Sequence, residues 1–240
     1  MNVRLIYPDR DKAIEYRGLI WLAARTCYSS DMPEQLWDDY VLGKIPLSQV
    51  LRVLSHVITS GHHSTIEHIN FTFTISGVSR VLTHQLVRHR IGIAFDQQSQ
   101  RYVRPDGDVV VPPSIANNPN AMSIYNKCVD SASCAYQQLV RLGVPEEDAR
   151  FLLPQATKTN LIMTVNLRQL IHISSLRLCT LAQWEIRRLF KKIRKEMLAF
   201  DPLFGRLLTP KCVWMGYCDE KRNADGHCKI RPYRPSSLIP

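Results

Sequence analysis

The chain has 240 residues, with Lys+Arg 31 against Asp+Glu 21 and a formal net charge of +10. Hydrophobic residues make up 45% and charged residues 22%, an ordinary globular mix that excludes disorder as the main state. The longest early apolar stretch, Leu19 to Ala24, is far short of a membrane span, and the opening MNVRLIYPDRDK lacks the apolar run of a secretory signal.

In chain order, residues 12–27 repeat apolar side chains at helical spacing (Ile14, Leu19, Ile20, Leu22, Ala23) and predict a helix. Pro46 opens a second helix through Ser60, which Gly61 ends. EHINFTFTI, residues 67–75, alternates cleanly and reads as a half-buried strand with Ile69, Phe71, Phe73 and Ile75 inward. Ser79 can cap a helix reaching about Arg88, and residues 99–104 read as extended. A long helix is expected over 116–142, a shorter one after Pro145 with Glu146, Glu147 and Asp148 in its first turn, and a strand over 158–166. Helices follow from Asn166 and from about Thr180 to Phe200, and the chain after Pro202 reads as irregular. Helices mixed with a few strands and no βαβ rhythm predict an α+β fold, and neither G-x-G-x-x-G nor a P-loop is present.

The charge is uneven. Residues 187–240 carry 13 Lys/Arg against 5 Asp/Glu, a net of +8, and residues 80–104 carry 5 Arg against 1 Asp, a net of +4. Such zones favour anionic partners, either nucleic acid or phosphorylated small molecules. The seven cysteines (27, 128, 134, 179, 212, 218 and 228) are odd in number and irregular in spacing, which predicts thiols in a cytoplasmic protein. Cys212, Cys218, His227 and Cys228 could be zinc ligands by type, but no C-x-x-C pair is present, so no metal site is expected.

Three clusters carry chemistry. In HQLVRHRIGIAFDQQSQRYVR, residues 84–104, Gln85 and Arg88 fall three apart on the predicted helix. Arg88, His89 and Arg90 then precede a polar loop of Asp96, Gln97, Gln98, Ser99, Gln100 and Arg101. Guanidinium forks suit phosphates, and amides suit the edge of a base. In NLRQLIHISSLRLC, Arg168 and His172 share a helix face and Arg177 lies five beyond His172. GHHSTIEH, residues 61–68, places His62, Ser64 and Glu67 between a helix end and a strand, without the H-E-x-x-H spacing of a zinc helix. Taken alone, each cluster also reads blandly, as a solvated helix end, a packed histidine or a turn.

Together these blocks resemble the flavin-dependent thymidylate synthases. That family carries R-H-R, seven residues, then Ser; here Arg88-His89-Arg90 and Ser99 are separated by eight, followed by Gln100-Arg101-Tyr102. The resemblance extends to GHHSTIEHINFTF, to Arg150 before Leu153-Pro154, and to NLR…LRLC…AQWEIR, from about residue 18 to 190. Two departures stand out. One residue is extra within 91–96, where Gly92 can let the backbone bulge, and Gln97 stands where many members have an acid, with Asp96 beside it.

The resemblance implies reductive methylation of dUMP to dTMP, with methylenetetrahydrofolate as carbon donor, FAD as cofactor and NADPH as reductant. It implies a single catalytic domain over 1–208, a central antiparallel sheet, and a homotetramer whose active sites are shared between subunits. A basic Pro- and Cys-containing tail over 209–240 matches nothing in it. It implies dUMP binding by Gln85, Arg88, Gln97, Gln98, Ser99, Gln100, Arg101, Arg150 and Arg177, with Arg177 polarising the uracil. It implies FAD binding by Ser64, Arg88, His89, Arg90, Asn166, Arg168 and His172, with His62 and Glu67 close to the flavin. No membrane or nucleic-acid partner is then expected. Two other readings follow from the residues: a basic RNA-binding module without catalysis, and a relative that keeps the flavin site but has lost methylation.

Overall fold

The computed structural model describes residues 1–104 and 106–234; residues 235–240 of the expected tail lie outside them. β1 (Asn2–Tyr7) leads through a 3-10 turn at Arg10–Lys12 into α1 (Ala13–Thr26), α2 (Pro33–Val41) and α3 (Leu47–Thr59). A 3-10 turn at His63–Glu67 precedes β2 (Asn70–Ser79), α4 (Arg80–Leu86) and β3 (Ile93–Gln97). Then come α5 (Pro113–Ala116), α6 (Pro119–Arg141), α7 (Glu146–Ala149), a 3-10 turn at Arg150–Leu152 and β4 (Lys158–Asn166). The chain continues through α8 (Leu167–Arg177), α9 (Trp184–Phe200), α10 (Pro202–Leu207), α11 (Lys211–Met215) and a 3-10 turn at Lys221–Asn223.

The strands pair in the order β1-β2-β4-β3, so β2 and β4 are central. The β4–β3 register is antiparallel: Gln98 N donates to Asn160 O at 2.9 Å and Asn166 N donates to Gly92 O at 2.9 Å. The fold is thus α+β, as the element pattern predicts, around the four-stranded antiparallel sheet that the resemblance implies.

The chain divides into two compact units. One contains residues 1–2, 74–88 and 95–163, and the other residues 3–73, 89–94 and 164 onward. In the larger unit α1 buries Tyr16, Ile20, Trp21 and Ala24, spaced three or four apart on one stripe. Tyr16, Phe71 and Phe200 meet at centroid distances of 5.4 to 5.7 Å, and Arg17 forks onto the buried Asp201 at 2.7 and 2.8 Å. In the smaller unit the core is Ile75 and Val78 of β2, Leu82 and Leu86 of α4, Tyr136 of α6, and Leu161 and Met163 of β4.

Several boundaries differ from the sequence reading, each for a local reason. β1 and α2 escape notice because none of the β1 residues 2–7 is fully buried and Leu36 is the one buried residue of α2, so neither shows a strong apolar pattern. The strand expected over 67–75 begins later and runs on to Ser79, although Ile69, Phe71, Phe73 and Ile75 are all buried as predicted. Residues 99–104 are not extended: Ser99 Oγ accepts from Arg101 N at 3.1 Å and Ser99 O from Val103 N at 3.0 Å, which closes a turn after β3. The helix over 116–142 is interrupted because Asn118 caps a fresh start at Pro119, accepting from Asn120 N and Ala121 N. The helix expected from Thr180 starts at Trp184, where the Gln183 side chain caps Glu185 N and Ile186 N. The segment after Pro202 is not irregular throughout: Asp201 caps α10 through Leu203 N, and Phe204 and Leu207 are buried.

Candidate active site

The RHR motif lies beyond α4, which ends at Leu86, so Gln85 and Arg88 do not share a helix face as expected; Arg88 closes a segment of the smaller unit, and His89 and Arg90 belong to the larger. His89 is turned inward at 8% exposure while Arg88 and Arg90 on either side are exposed. Arg177, the last residue of α8, donates through Nε to His89 Nε2 at 3.1 Å. Burial pushes His89 down to about 4, with the Arg177 charge and then His172 adding to the effect. His89 is therefore neutral at pH 7, and its unprotonated Nε2 fixes the tautomer by accepting from Arg177. Burial also lowers the Arg177 guanidinium from its usual range. The His172 ring meets His89 edge-on at 6.5 Å.

Two cavities lie within the same unit, the first sharing His172 with this group. One, of about 620 Å³, is lined by Glu67, Ile91, Asn166, Arg168, His172 and Ser175 among others. Arg168 Nη1 donates to Glu67 Oε1 along its wall. Asn166 caps α8 by accepting from Gln169 N at 2.8 Å, and Gly92, at φ +63°, lies against it. A Cβ at Gly92 would collide with the Asn166 side chain, so this position needs glycine both for its φ and for its space. The other cavity, about 510 Å³, contains His62 and Ser64 together with Arg25, Tyr28, Arg52 and His56. These last four were missed in the sequence: Arg25 on α1 and Tyr28 after it stand alone, and Arg52 and His56, four apart on α3, lie amid that helix's apolar pattern.

The smaller unit gathers the glutamine loop. Gln97 Nε2 donates to Thr159 Oγ1 at 3.2 Å, and Gln98 Oε1 accepts from Asn160 Nδ2 at 3.0 Å. Gln98, Ser99 and Gln100 line a cavity of about 490 Å³ with Arg104, Lys158 and Asn160. Arg101 pairs with Glu147 at 2.7 Å and lies over the Tyr102 ring, and Arg150 Nε donates to Glu147 O at 3.0 Å. Arg80 lies near Arg150: burial, then that second charge, lowers its pKa. Arg80 Nη1 and Gln100 Nε2 are buried donors with no hydrogen-bond partner among the described residues. Arg80 was also missed in the sequence; its signal is that Ser79 fixes the start of α4 directly before it.

Within the larger unit the structure thus brings together Glu67, His89, Asn166, Arg168, His172 and Arg177. It separates His62 and Ser64 from Glu67 into another cavity. Arg88 and Arg90 have no hydrogen-bond or ion-pair partner among the described residues.

An antiparallel α+β fold with a part-buried arginine–histidine pair and several guanidinium groups in its cavities has the chemistry to receive anionic ligands. The comparisons agree. The family model described as thymidylate synthase complementing protein matches residues 12–203, and this chain belongs to that family. The flavin-dependent thymidylate synthase of Geobacter sulfurreducens is 41% identical over 216 residues, 89% of this chain and 88% of its own length. That of Nitratidesulfovibrio vulgaris is 38% identical over 230 residues, 91% and 93%, and that of Pyrococcus furiosus is 41% identical over 194 residues, 77% and 79%. Among solved structures, the UMP/dUMP methylase PolB of Streptomyces cacaoi, bound with 5-Br dUMP, shares the fold. Its TM-score is 0.71 at 20% identity, over 86% of this chain and 93% of that one. Among the described residues, no helix is long and apolar enough to cross a membrane.

Proposed function

We propose that this chain is a flavin-dependent thymidylate synthase that converts dUMP to dTMP, with methylenetetrahydrofolate as carbon donor, FAD as cofactor and NADPH as reductant. Family membership and the names of its relatives support the reaction. The observation that carries the reading onto this chain is the part-buried Arg177 held by a buried, neutral His89.

A uracil carbon is a weak nucleophile, and negative charge must gather on the ring as it attacks the incoming one-carbon unit. A guanidinium fixed beforehand at the ring edge stabilises that charge without reorganising, and burial strengthens the effect. Arg177 has this role. His89 positions it through Nε and, being neutral, adds no competing cation. In the smaller unit Gln85, Arg88, Gln97, Gln98, Ser99, Gln100, Arg101 and Arg150 bind dUMP, and the orphaned Nη1 of Arg80 makes it a further phosphate ligand.

The flavin fits the larger unit. Its two cavities are within the usual range for small-molecule sites, and their walls mix cations with aromatic and amide groups. Ser64, Arg88, His89, Arg90, Asn166, Arg168 and His172 would hold it, with His62 and Glu67 near the ring system. The chemistry supplied there, with FAD bound by these residues, would be hydride transfer to complete the methyl group, with NADPH as the source of reducing equivalents. Exposed Arg88 and Arg90 suit a pyrophosphate by charge. The proposal includes a catalytic domain over 1–208 with a basic tail over 209–240, a homotetramer with shared active sites, and a cytoplasmic location, for which seven cysteines carried as thiols argue.

An absorbance spectrum of the purified protein tests the cofactor assignment. A flavin band near about 450 nm, retained through gel filtration or restored by FAD, is expected. Protein that stays colourless after incubation with FAD would count against it.

A further inference from the structure

We propose that Cys179, Cys212, Cys218 and Cys228 form a structural zinc site that pins the C-terminal segment to the end of α8. The four residues are far apart in sequence, yet they line one cavity of only about 10 Å³. Cys179 follows the C-cap of α8, Cys212 lies in α11, Cys218 sits in an isolated parallel bridge with Tyr233, and Cys228 follows the last 3-10 turn. The wall of that small space thus carries four soft sulfur donors, the donor set zinc prefers in closed structural sites.

His227, a ligand candidate by type from the sequence, is excluded: its side chain is 81% exposed and faces Asp225. Cys179 takes its place. The spacing Cys212-x5-Cys218-x9-Cys228 escapes the usual finger pattern because the ligands come from a helix and a bridge rather than from one tight turn.

Four further observations fit. Cys212 and Cys218 are 7% and 6% exposed in a segment with little else to bury. Residues 209–234 have a five-residue helix, a three-residue 3-10 turn and one isolated bridge, too little to order a segment without a staple. The loop to the fourth cysteine is already shaped: buried Asn223 accepts from Cys228 N at 2.7 Å. The same segment carries Lys/Arg at 211, 221, 222, 229, 231 and 234 against acids at 219, 220 and 225. Four thiolates around a dication leave two net negative charges, which the basic excess of the segment offsets, although Lys211 on the cavity wall already pairs with Asp219 at 2.8 Å and Glu220 at 3.0 Å.

Among the described residues no three potential ligands already stand as a ready-made metal group. Metal binding therefore requires the four sulfurs to close in from their places on the cavity wall. Binding releases four protons, involves no electron transfer, and draws each sulfur to about 2.3 Å from the ion. With all four positions filled by protein the site is structural, with no open place for a substrate.

The test uses the full chain, purified without chelator or metal-affinity tag, with metal content and thiols measured together. About one zinc per chain is expected. Cys27, Cys128 and Cys134, exposed and outside the cavity, should react with a thiol reagent in the native protein, and the other four only after chelation. Cys218→Ser and Cys228→Ser should each lose the zinc, while Cys134→Ser keeps it. Should the serine variants not fold, cobalt added to the chelated wild-type chain should give the intense visible bands of a tetrahedral tetrathiolate. A chain that neither carries zinc nor takes up one equivalent on reconstitution overturns the proposal, whether its cavity cysteines are thiols or disulfides. Zinc that survives Cys218→Ser also overturns it. The proposal is independent of the methylation reading, since zinc content and dTMP formation can each fail alone.

Discussion

The two arginine-rich regions differ in how their cations are held. In the larger unit Arg177 is held by His89 and Arg168 by Glu67, so both guanidinium groups are oriented by the protein itself. In the smaller unit Arg80 and Gln100 each bury a donor that no described residue satisfies, and Arg80 sits near a second cation, Arg150. A buried donor left unsatisfied is costly, as is a pair of like charges, and both costs are relieved by an anion. The difference separates a region pre-organised for chemistry from one built to gain its stability on binding.

The largest effect expected from this contrast is at Arg177. Arg177→Ala should lower turnover by about 10²- to 10³-fold while leaving flavin content intact, measured as kcat beside the absorbance ratio of flavin to protein. Equal loss of both would erase the distinction between positioning and binding. Next, Arg80→Met should raise the dUMP dissociation constant by roughly 10- to 100-fold, the worth of one charge-assisted hydrogen bond. Without dUMP the same variant should melt no lower than wild type, since it removes an unsatisfied buried cation. A clear drop in melting temperature would mean that Arg80 serves the fold.

A third effect concerns pH. His89 is neutral in the folded chain down to about 4 but titrates near 6.5 when unfolded, so the unfolded state binds the extra proton between these values. Stability is therefore complete above about 6.5 and falls as pH drops from there through about 4, by something on the order of 1–3 kcal/mol. His89→Gln should flatten that window in a melting series against pH, and an unchanged slope would contradict the buried neutral imidazole. The smallest effect is at the exposed pair: Glu67→Gln should change stability by no more than about 1 kcal/mol, because both partners are half in solvent.

The sequence exposed the parts whose signal is local. Alternation marked the inner face of β2, Ser79 and Asn166 marked helix starts, and both the RHR block and the Arg168–Arg177 helix appeared as dense polar clusters. It did not expose what depends on burial by distant segments. β1 has weak alternation because its residues are only partly covered. The Ser99 turn reads as extended because one hydroxyl decides it. Arg25 and Arg80 lie alone among ordinary helix residues, Arg52 has only His56 one turn on, and all become site candidates only when their neighbours in space are known. The four cysteines of the small cavity share no sequence spacing, and folding alone brings them together.

The central claim is methylation of dUMP by the pre-organised region, and product formation tests it most directly. Purified protein with FAD, NADPH, methylenetetrahydrofolate and dUMP should release dTMP, and omission of any one co-substrate should stop it. A folded, flavin-loaded protein that binds dUMP yet yields no dTMP under these conditions would contradict the account.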